Sequence, residues 1–204
     1  PRRARLEDDG EPVSEQRFLR STMTNRAFWF AGGDAGEFRV QRMTAPSGET
    51  LGGVARVARG ESLEVPESLA ARWAFRGVTS NLRYTTQAEK DVLLANAPAP
   101  GGALAALILL KKSEAWWNLA QDERRRIFEE QSRHTTIGLR HVDGISRKLH
   151  HCRDLGIEQG FDFLTWFEFE PEREAAFDAL VAALRATEEW RYVEREVDVR
   201  LVRE

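Results

Sequence analysis

The chain has 204 residues, 42% of them hydrophobic, so it can form one domain or two small ones with a substantial core. Thirty Lys and Arg residues stand against 33 Asp and Glu, and the net charge of −3 excludes the basic field that draws proteins to nucleic acid. No apolar run approaches the ~18–20 residues that cross a membrane, so we expect no membrane partner. Function must therefore depend on individually placed side chains.

The only cysteine, Cys152, excludes an intramolecular disulfide and is typical of a cytoplasmic protein. We expect it to pack in the core, because it continues an apolar series with Ile145 and Leu149. The polar amino end lacks the apolar segment of a signal peptide. Because the sequence begins with Pro1 rather than Met, a trimmed leader and a periplasmic location stay open.

The first half of the chain has few periodic patterns of apolar residues that would indicate helices or strands. Residues 1–24 are charged and poor in apolar side chains, which predicts a disordered or loosely draped tail. Residues 46–68 are rich in Gly, Pro, Ser and Glu and predict a loop with at most one short strand. Alternation of apolar residues predicts strands at 25–31, 37–44 and 72–79, the first two joined as a hairpin by the turn GGDAG.

A capping box formed by Thr86 and Glu89 predicts the start of a helix. The Pro/Gly cluster APAPGG at 97–102 ends it. That cluster is the best domain boundary in the chain, and it divides the sequence into a shortened half at 25–100 and a second half at 101–204.

The second half has the clearer pattern. Its predicted elements are a strand at 103–111, a helix capped by Ser113, a helix at 136–153, a strand at 161–170, a helix opened by Pro171 and a strand at 191–203. This order is typical of a ferredoxin-like α+β unit, and the first half has the elements of a shortened copy. We therefore predict an α+β fold in which two such units face each other as a barrel, with a cavity between sheet and helices.

His134 is the first candidate for chemistry. It lies in the segment SRHTT at a junction between predicted helices, where a side chain can be aimed at a cavity. The chain has no HExxH or CxxC motif, so a tetrahedral zinc site is not expected. A haem needs a single axial histidine, because the porphyrin supplies the other four donors. A lone histidine is more commonly a surface or core residue, and spacing alone does not separate these cases.

Glu168 is the second candidate. Period-2 alternation places it on the same face of the strand at 161–170 as Leu164 and Trp166. A carboxylate there needs a partner. The N–H of an iron-bound imidazole is one such partner. An ion pair with an arginine, or partial exposure of the face, is the alternative.

Arg147 and a group of aromatic residues complete the set. Arg147 falls thirteen residues after His134, off the apolar face of the predicted helix, which indicates either a solvated face or a cavity wall. A guanidinium facing a cavity can bind a small oxyanion. Trp116 and Trp117 are core residues or the wall of a flat cofactor, and Tyr84 can serve the same wall from the other half of the chain. Lys112 can pair with a propionate of that cofactor.

Four segments occur in an order that resembles a known family. They are RGVTSNLRYTT at 76–86, KSEAWWNLAQDERRRIFEEQSRHTTIGLRH at 112–141, ISRKLHHCRDLG at 145–156 and FDFLTWFEF at 161–169. Together they resemble the chlorite dismutase family over roughly residues 25–203, and the short first half resembles its compact, dimeric lineage.

The resemblance implies a fold, a cofactor and a reaction. It implies a dimeric α+β barrel that binds haem b, with 101–204 as the haem-binding half, and decomposes the small anion chlorite to chloride and dioxygen. His134 would be the iron ligand, Glu168 its hydrogen-bonding partner (with Glu170 and Glu172 as nearby alternatives), and Arg147 the catalytic arginine that detains the oxychlorine fragment. The residues implied to line or support the proximal and propionate side are Lys112, Trp116, Trp117 and Tyr84.

Two alternatives remain at this point. A coproporphyrin-haem decarboxylase or a peroxidase-like haem protein would share the fold, although the decarboxylase group lacks an arginine at the place of Arg147. A haem-free α+β domain that binds a partner would share only the architecture. Release of dioxygen from chlorite would distinguish a chlorite-decomposing enzyme from the first alternative. A Soret band in the purified protein would distinguish a haem protein from the second.

Overall fold

An antiparallel barrel of eight strands forms the body of the protein. The computed structural model describes residues 26–79, 84–95, 101–141 and 143–204, so the predicted tail at 1–24 lies outside the described residues. The strands are β1 (Ala27–Gly33), β2 (Phe38–Ser47), β3 (Arg56–Gly60), β4 (Trp73–Val78), β5 (Leu104–Lys112), β6 (Ile145–His151), β7 (Phe163–Phe169) and β8 (Val193–Arg203). They close in the order β1, β3, β2, β8, β5, β7, β6, β4.

The helices of the described residues are short, and most lie in the second half of the chain. They are α1 (Gln87–Ala95), α2 (Glu114–Asn118), α3 (Gln121–Arg125), α4 (His134–His141) and α5 (Glu174–Arg185). A π-helical segment, Arg126–Gln131, continues α3, and a 3-10 turn, Glu189–Tyr192, precedes β8. Within these ranges no helix has the length and apolar composition of a membrane span.

The alternation of side chains along the strands separates two apolar cores. Phe30, Leu107 and Trp166 belong to the core inside the barrel. Phe167 and Phe177 belong to a second core, where the outer face of the sheet meets α5. This second core is the layer in which a cavity between sheet and helices can form.

Three successive charged residues on one face of β8 are buried. Glu196, Asp198 and Arg200 are 1%, 3% and 6% exposed. From α5, Arg185 bonds Glu196 at 2.5 Å and Asp198 at 2.9 Å. Each buried charge has a partner of opposite sign, which is the condition for burying it. Ion pairs therefore hold α5 against β8 beside the second apolar core.

Most predicted elements of the barrel are confirmed, as is the α+β class. The capping box forms as expected: the Thr86 N–H donates to Glu89 Oε2 at 2.6 Å, and the Glu89 N–H donates to Thr86 Oγ at 3.3 Å. Cys152 is buried in the inner core, as its apolar spacing predicted. The loop at 46–68 contains the one short strand, β3.

The predicted pairing of the first two strands is wrong. β1 pairs with β3 and β4, whereas β2 pairs with β3 and β8. Gly60 of β3 lies opposite Trp29 of β1, and a Cβ at Gly60 would come 2.5 Å from the indole ring. The absence of a side chain at Gly60 thus admits β3 beside β1. A turn sequence predicts that the chain reverses direction, but it does not determine which strand pairs with β1.

The predicted helix at 136–153 is also wrong in its second part. Helix α4 ends at His141, Gly144 adopts a positive φ of 71°, and β6 begins at Ile145. Residues Ile145, Leu149 and Cys152 fit helical spacing, but Ile145 and Leu149 also fit the period of a strand. Pairing with all seven residues of β7 decides the matter, because a short segment adopts the structure that its neighbours stabilise. Arg147 consequently lies on a strand.

A buried histidine inside the barrel makes stability depend on pH. His150 is fully buried, with Phe28 and Phe30 at 4.8 and 5.1 Å between ring centroids. Its Nδ1 donates to the Leu164 carbonyl at 3.1 Å, and among the described residues Nε2 has no hydrogen-bond partner. Burial is the main cause that lowers the pKa of His150 to about 3; the hydrogen bond to Leu164 opposes the shift, and the charge of nearby Lys148 contributes to it. His150 is therefore neutral in the folded protein.

We expect His150→Phe to reduce the loss of stability on acidification. The folded pKa of His150 is below the ordinary value of 6.5, so only the unfolded chain takes up the proton as pH falls from 6.5 towards 3. The contribution of His150 to the free energy of unfolding is therefore fully present above pH 6.5. Below pH 6.5 it falls by about 1.4 kcal/mol per pH unit. Urea unfolding at pH 7 and pH 5 measures the change, and equal losses in parent and variant would contradict it.

Candidate functional site

A pocket lies between the outer face of the sheet and the helices α4 and α5. The empty space at this site, including the part that is open to solvent, is about 1340 Å³. Its floor comes from alternate residues of β5, β6 and β7, which share one face of the sheet. The apolar side chains of this floor and of α5 are Ile108, Leu110, Ile145, Leu149, Phe163, Phe167, Leu180, Val181 and Leu184. The pocket is therefore mostly apolar, with a few polar groups at defined places.

His134 lines the pocket from the first residue of α4. The start of this helix is held by Glu129, which accepts hydrogen bonds from the Thr135 N–H at 2.9 Å and the Thr136 hydroxyl at 3.2 Å. The imidazole stacks on Phe128, with 4.3 Å between ring centroids. Its Nδ1 bonds Glu189 Oε2 at 2.6 Å. Among the described residues no group bonds Nε2, so this nitrogen is available to a ligand in the pocket.

Glu189 is the charged partner of this histidine. It is 4% exposed, and its second oxygen, Oε1, bonds the Lys112 ammonium at 2.8 Å. Burial alone would raise the pKa of Glu189, but the charges and hydrogen bonds of His134 and Lys112 outweigh it and bring the pKa to about 2. The carboxylate is thus ionised at neutral pH. It fixes the ring orientation of His134 and makes Nε2 a stronger donor to a metal.

Arg147 lines the same pocket from the sheet side, where it lies opposite Phe167 in the β6–β7 pairing. Arg147 is one of the exposed residues of β6, although the other walls of the pocket lie around it. Burial lowers the pKa of the guanidinium, and the charge of Glu189 opposes that shift. An arginine stays protonated under such a shift. Within the described ranges Arg147 forms no ion pair or hydrogen bond, so its charge is available to an anion.

Two of the predicted aromatic residues lie on the pocket wall. Trp116 is 1% exposed, contacts Tyr84 edge-on at 6.1 Å, and has the Lys112 ammonium 4.6 Å from its ring. Its Nε1 is buried and has no hydrogen-bond partner in the described part of the chain. Arg124 Nη1 lies 3.4 Å from the Tyr84 hydroxyl. These side chains form an aromatic corner beside His134 and Lys112.

The predicted pairing of Glu168 with His134 is wrong. Glu168 faces the barrel interior, where it pairs with Arg59 at 2.8 Å and Arg203 at 3.1 Å and accepts a hydrogen bond from Trp166 at 2.7 Å. His134 lies over the outer face of the sheet. Consecutive residues of a strand point to opposite faces, so Glu168 cannot face the pocket that Phe167 lines. The arginine ion pair, which was the alternative, is the one that forms.

The two tryptophans also separate, because adjacent residues of a helix point about 100° apart. Trp117 is not among the pocket-lining residues. It donates a hydrogen bond to Asp162 at 3.2 Å and stacks on Phe163 at 6.0 Å. Lys112 does line the pocket, but its ammonium is paired with Glu189, so a propionate would have to share it.

Glu189 is the residue that sequence reasoning missed. It stands in the polar connection TEEWRY between α5 and β8, next to Glu188. Both carboxylates precede Trp190, and no local pattern distinguishes the buried one from its half-buried neighbour. Only the packing of this turn against the His134 segment makes the difference.

Comparisons with known proteins were consistent across sequence and structure. The sequence model of the family described as Chlorite dismutase matches residues 40–203. The crystal structure of a dimeric chlorite dismutase from Nitrobacter winogradskyi is 45% identical, with a TM-score of 0.79, over 86% of this chain and 99% of that chain.

Two further relatives are more distant. A chlorite dismutase from Ideonella dechloratans is 31% identical over 134 residues, which are 63% of this chain and 42% of that protein, so the match spans less than half of that relative. A variant of chlorite dismutase from Candidatus Nitrospira defluvii has a TM-score of 0.64 at 19% identity, over 93% of this chain and 95% of that chain, and supports the fold alone.

The family match includes four charged or ionisable residues that line the pocket: Lys112, His134, Arg147 and Glu189. It also includes the strands β5 to β8 and the helices α4 and α5 that enclose them. The chain therefore belongs to the chlorite dismutase family.

Proposed function

We propose that the chain binds haem b in this pocket through His134 and decomposes chlorite to chloride and dioxygen. One observation carries the proposal. A single imidazole, held through Nδ1 by a buried carboxylate, shares a mostly apolar pocket with a guanidinium that is unpaired within the described ranges. The first feature suits a metal ligand, and the second suits a small anion.

The pocket fits a flat, largely apolar group with polar edges. Trp116 Nε1 is a buried donor without a described acceptor, and an acceptor on a bound group would satisfy it. Gly138 is a second indication. It lies one helical turn after His134 on the pocket-facing side of α4, and a Cβ there would meet no atom of the protein within 4 Å. A glycine inside a helix costs about 1 kcal/mol relative to alanine, so its place here suits the close approach of a ligand.

The residues of the chain have distinct tasks in this proposal. When bound, the haem would supply an iron that can accept an oxygen atom from chlorite. His134 holds the iron, and Glu189, supported by Lys112, keeps the imidazole oriented and electron-rich. Arg147 would bind chlorite, and the oxychlorine group derived from it, by charge-assisted hydrogen bonds, so that both oxygen atoms can leave together as dioxygen. The reaction needs no net proton transfer, since one chlorite yields one chloride and one dioxygen.

Arg147 also favours chlorite decomposition over the alternative haem functions. A decarboxylase of coproporphyrin haem or a peroxidase-like protein would share the fold and the iron ligand. An unpaired cation in the pocket instead selects a small oxyanion. We further propose a homodimer, on the basis of the dimeric Nitrobacter winogradskyi enzyme.

We expect the purified chain to bind haem with a Soret band and to release dioxygen from chlorite. His134→Ala should lose the band, because the apolar pocket offers the iron no replacement imidazole at that place. His141→Ala is the matched control, since His141 lines the same pocket from the same helix. Absorption spectroscopy and an oxygen electrode measure both effects. Haem binding by the parent without dioxygen release would favour the alternative haem functions.

We expect Arg147→Ala to inactivate during turnover. A hydrogen bond to a charged group contributes about 1.5–3 kcal/mol, so its loss should raise the escape of the oxychlorine fragment about tenfold or more. Escaping hypochlorite bleaches the haem, so the number of chlorite molecules consumed per protein should fall. Arg147→Lys keeps the positive charge but lacks the planar guanidinium that forms two parallel hydrogen bonds. Its number of chlorite molecules consumed per protein should lie between those of Arg147→Ala and the parent. Equal turnover numbers for Arg147→Ala and the parent would contradict this role.

We expect Gly138→Ala to stabilise the haem-free protein and weaken haem binding. Alanine favours the helix by about 1 kcal/mol, which corresponds to a rise in Tm of about 2–4 °C for a chain of this size. The same methyl group would intrude on a bound porphyrin. Thermal unfolding of the haem-free protein and haem transfer to apomyoglobin measure the two effects. A variant that keeps the parent's affinity for haem would show that nothing approaches α4 at Gly138.

A further inference from the structure

Two chain segments that are far apart in sequence meet behind the pocket. One is the turn that leads into His134, and the other is the 3-10 turn that begins with Glu189. They are joined twice. Glu189 Oε2 bonds His134 Nδ1 at 2.6 Å, and the Glu189 N–H donates to the Ser132 hydroxyl oxygen at 2.8 Å. Ser132 and Glu189 are each 4% exposed, so water cannot replace the second hydrogen bond.

Both the side-chain carboxylate and the backbone N–H of Glu189 are consequently held by hydrogen bonds. Lys112 bonds the carboxylate through Oε1 at 2.8 Å, whereas Ser132 bonds the backbone N–H. A carboxylate can be aimed at an imidazole only if the main chain that carries it stays in place. In this structure the hydroxyl of Ser132 fixes that main chain relative to His134, which is only two residues away from Ser132.

The backbone between Ser132 and His134 is itself constrained. Arg133 has a φ of 52°, a left-handed conformation that costs a non-glycine residue roughly 1 kcal/mol or more. Such a conformation persists where surrounding contacts determine it. The Ser132 N–H donates to the Ile127 carbonyl at 3.1 Å, and the Arg133 N–H donates to the Glu129 carbonyl at 3.0 Å. The left-handed residue thus allows the side chains of Ser132 and His134 to reach the same glutamate.

We infer that Ser132 is a positioning residue for the iron ligand: through the Glu189 N–H, it sets the hydrogen bond between Glu189 and His134. The inference rests on the proposed haem function and adds a residue to it. Removal of the hydroxyl leaves a buried N–H without an acceptor, which costs roughly 1–3 kcal/mol unless the turn moves. A movement of the turn changes the Oε2–Nδ1 geometry, so His134 becomes less electron-rich and its bond to iron weakens.

The test compares Ser132→Ala with Ser132→Thr, which keeps the hydroxyl. Resonance Raman spectroscopy of the ferrous, haem-loaded protein reports the iron–histidine stretching frequency. We expect Ser132→Ala to lower this frequency in the same direction as Glu189→Gln but by less, and Ser132→Thr to restore it. In the Glu189→Gln background, Ser132→Ala should add no further shift, because its effect passes through that carboxylate.

Thr187→Ala is the matched control. Its hydroxyl donates to the Leu184 carbonyl at 2.7 Å in the connection that leads to Glu189, and among the described residues it forms no hydrogen bond with Glu189. This variant removes a hydroxyl hydrogen bond near the same turn and should leave the frequency unchanged. A shift as large as that of Ser132→Ala would indicate general loosening of the connection and overturn the inference.

A second readout uses the protein without haem. Hydrogen exchange of the Glu189 amide should become about tenfold faster in Ser132→Ala, since a hydrogen bond of about 1 kcal/mol or more is lost. Unchanged exchange overturns the inference, and so does faster exchange with an unchanged stretching frequency. If the parent chain shows no Soret band, the proposed function fails instead, and amide exchange alone decides whether Ser132 holds Glu189.

Discussion

The site is organised around the buried carboxylate of Glu189. It lies between the ammonium of Lys112 and the imidazole of His134, at 2.8 and 2.6 Å. Loss of one partner of a buried ion pair costs about 3–5 kcal/mol, because the remaining charge stays in a medium that solvates it poorly. The three residues come from β5, from α4 and from the turn before β8, so the same interaction that orients the histidine also holds the helix layer on the barrel. Structure and proposed chemistry therefore depend on the same charge.

The sheet keeps two buried carboxylates apart. Glu168 faces the interior of the barrel, where Arg59 from β3 and Arg203 from β8 neutralise it. Glu189 faces the helix layer. Each carboxylate has its own cations, and the strands between them prevent exchange of partners. Glu168 thus contributes to the pairing of strands from both halves of the chain, whereas Glu189 contributes to the pocket.

Sequence patterns predicted where strands and helices occur better than they predicted which strands pair with each other. The strict alternation of β8 and the apolar run of β5 predicted strands that the structure contains. The capping box at Thr86 and Glu89 predicted the start of α1. The pairing of β1 with β3, rather than β2, depends on a close approach of Trp29 to Gly60 that no local pattern contains. Helical spacing over Ile145 and Leu149 fits a strand as well, and the choice falls to β7, which pairs with all of β6.

The sequence by itself determined which chemical groups are present: an imidazole outside any zinc motif, a guanidinium thirteen residues after it, and lysine and tryptophan residues in KSEAWW, in an order that resembles one family. The tertiary structure decided which of these groups meet. It brought Arg147 into the pocket on a strand, turned Glu168 to the other face of the sheet, and selected Glu189 from two adjacent glutamates. The reason is physical: charge and ligand type belong to a residue, whereas the partner of a buried charge depends on which segments of the chain pack against each other.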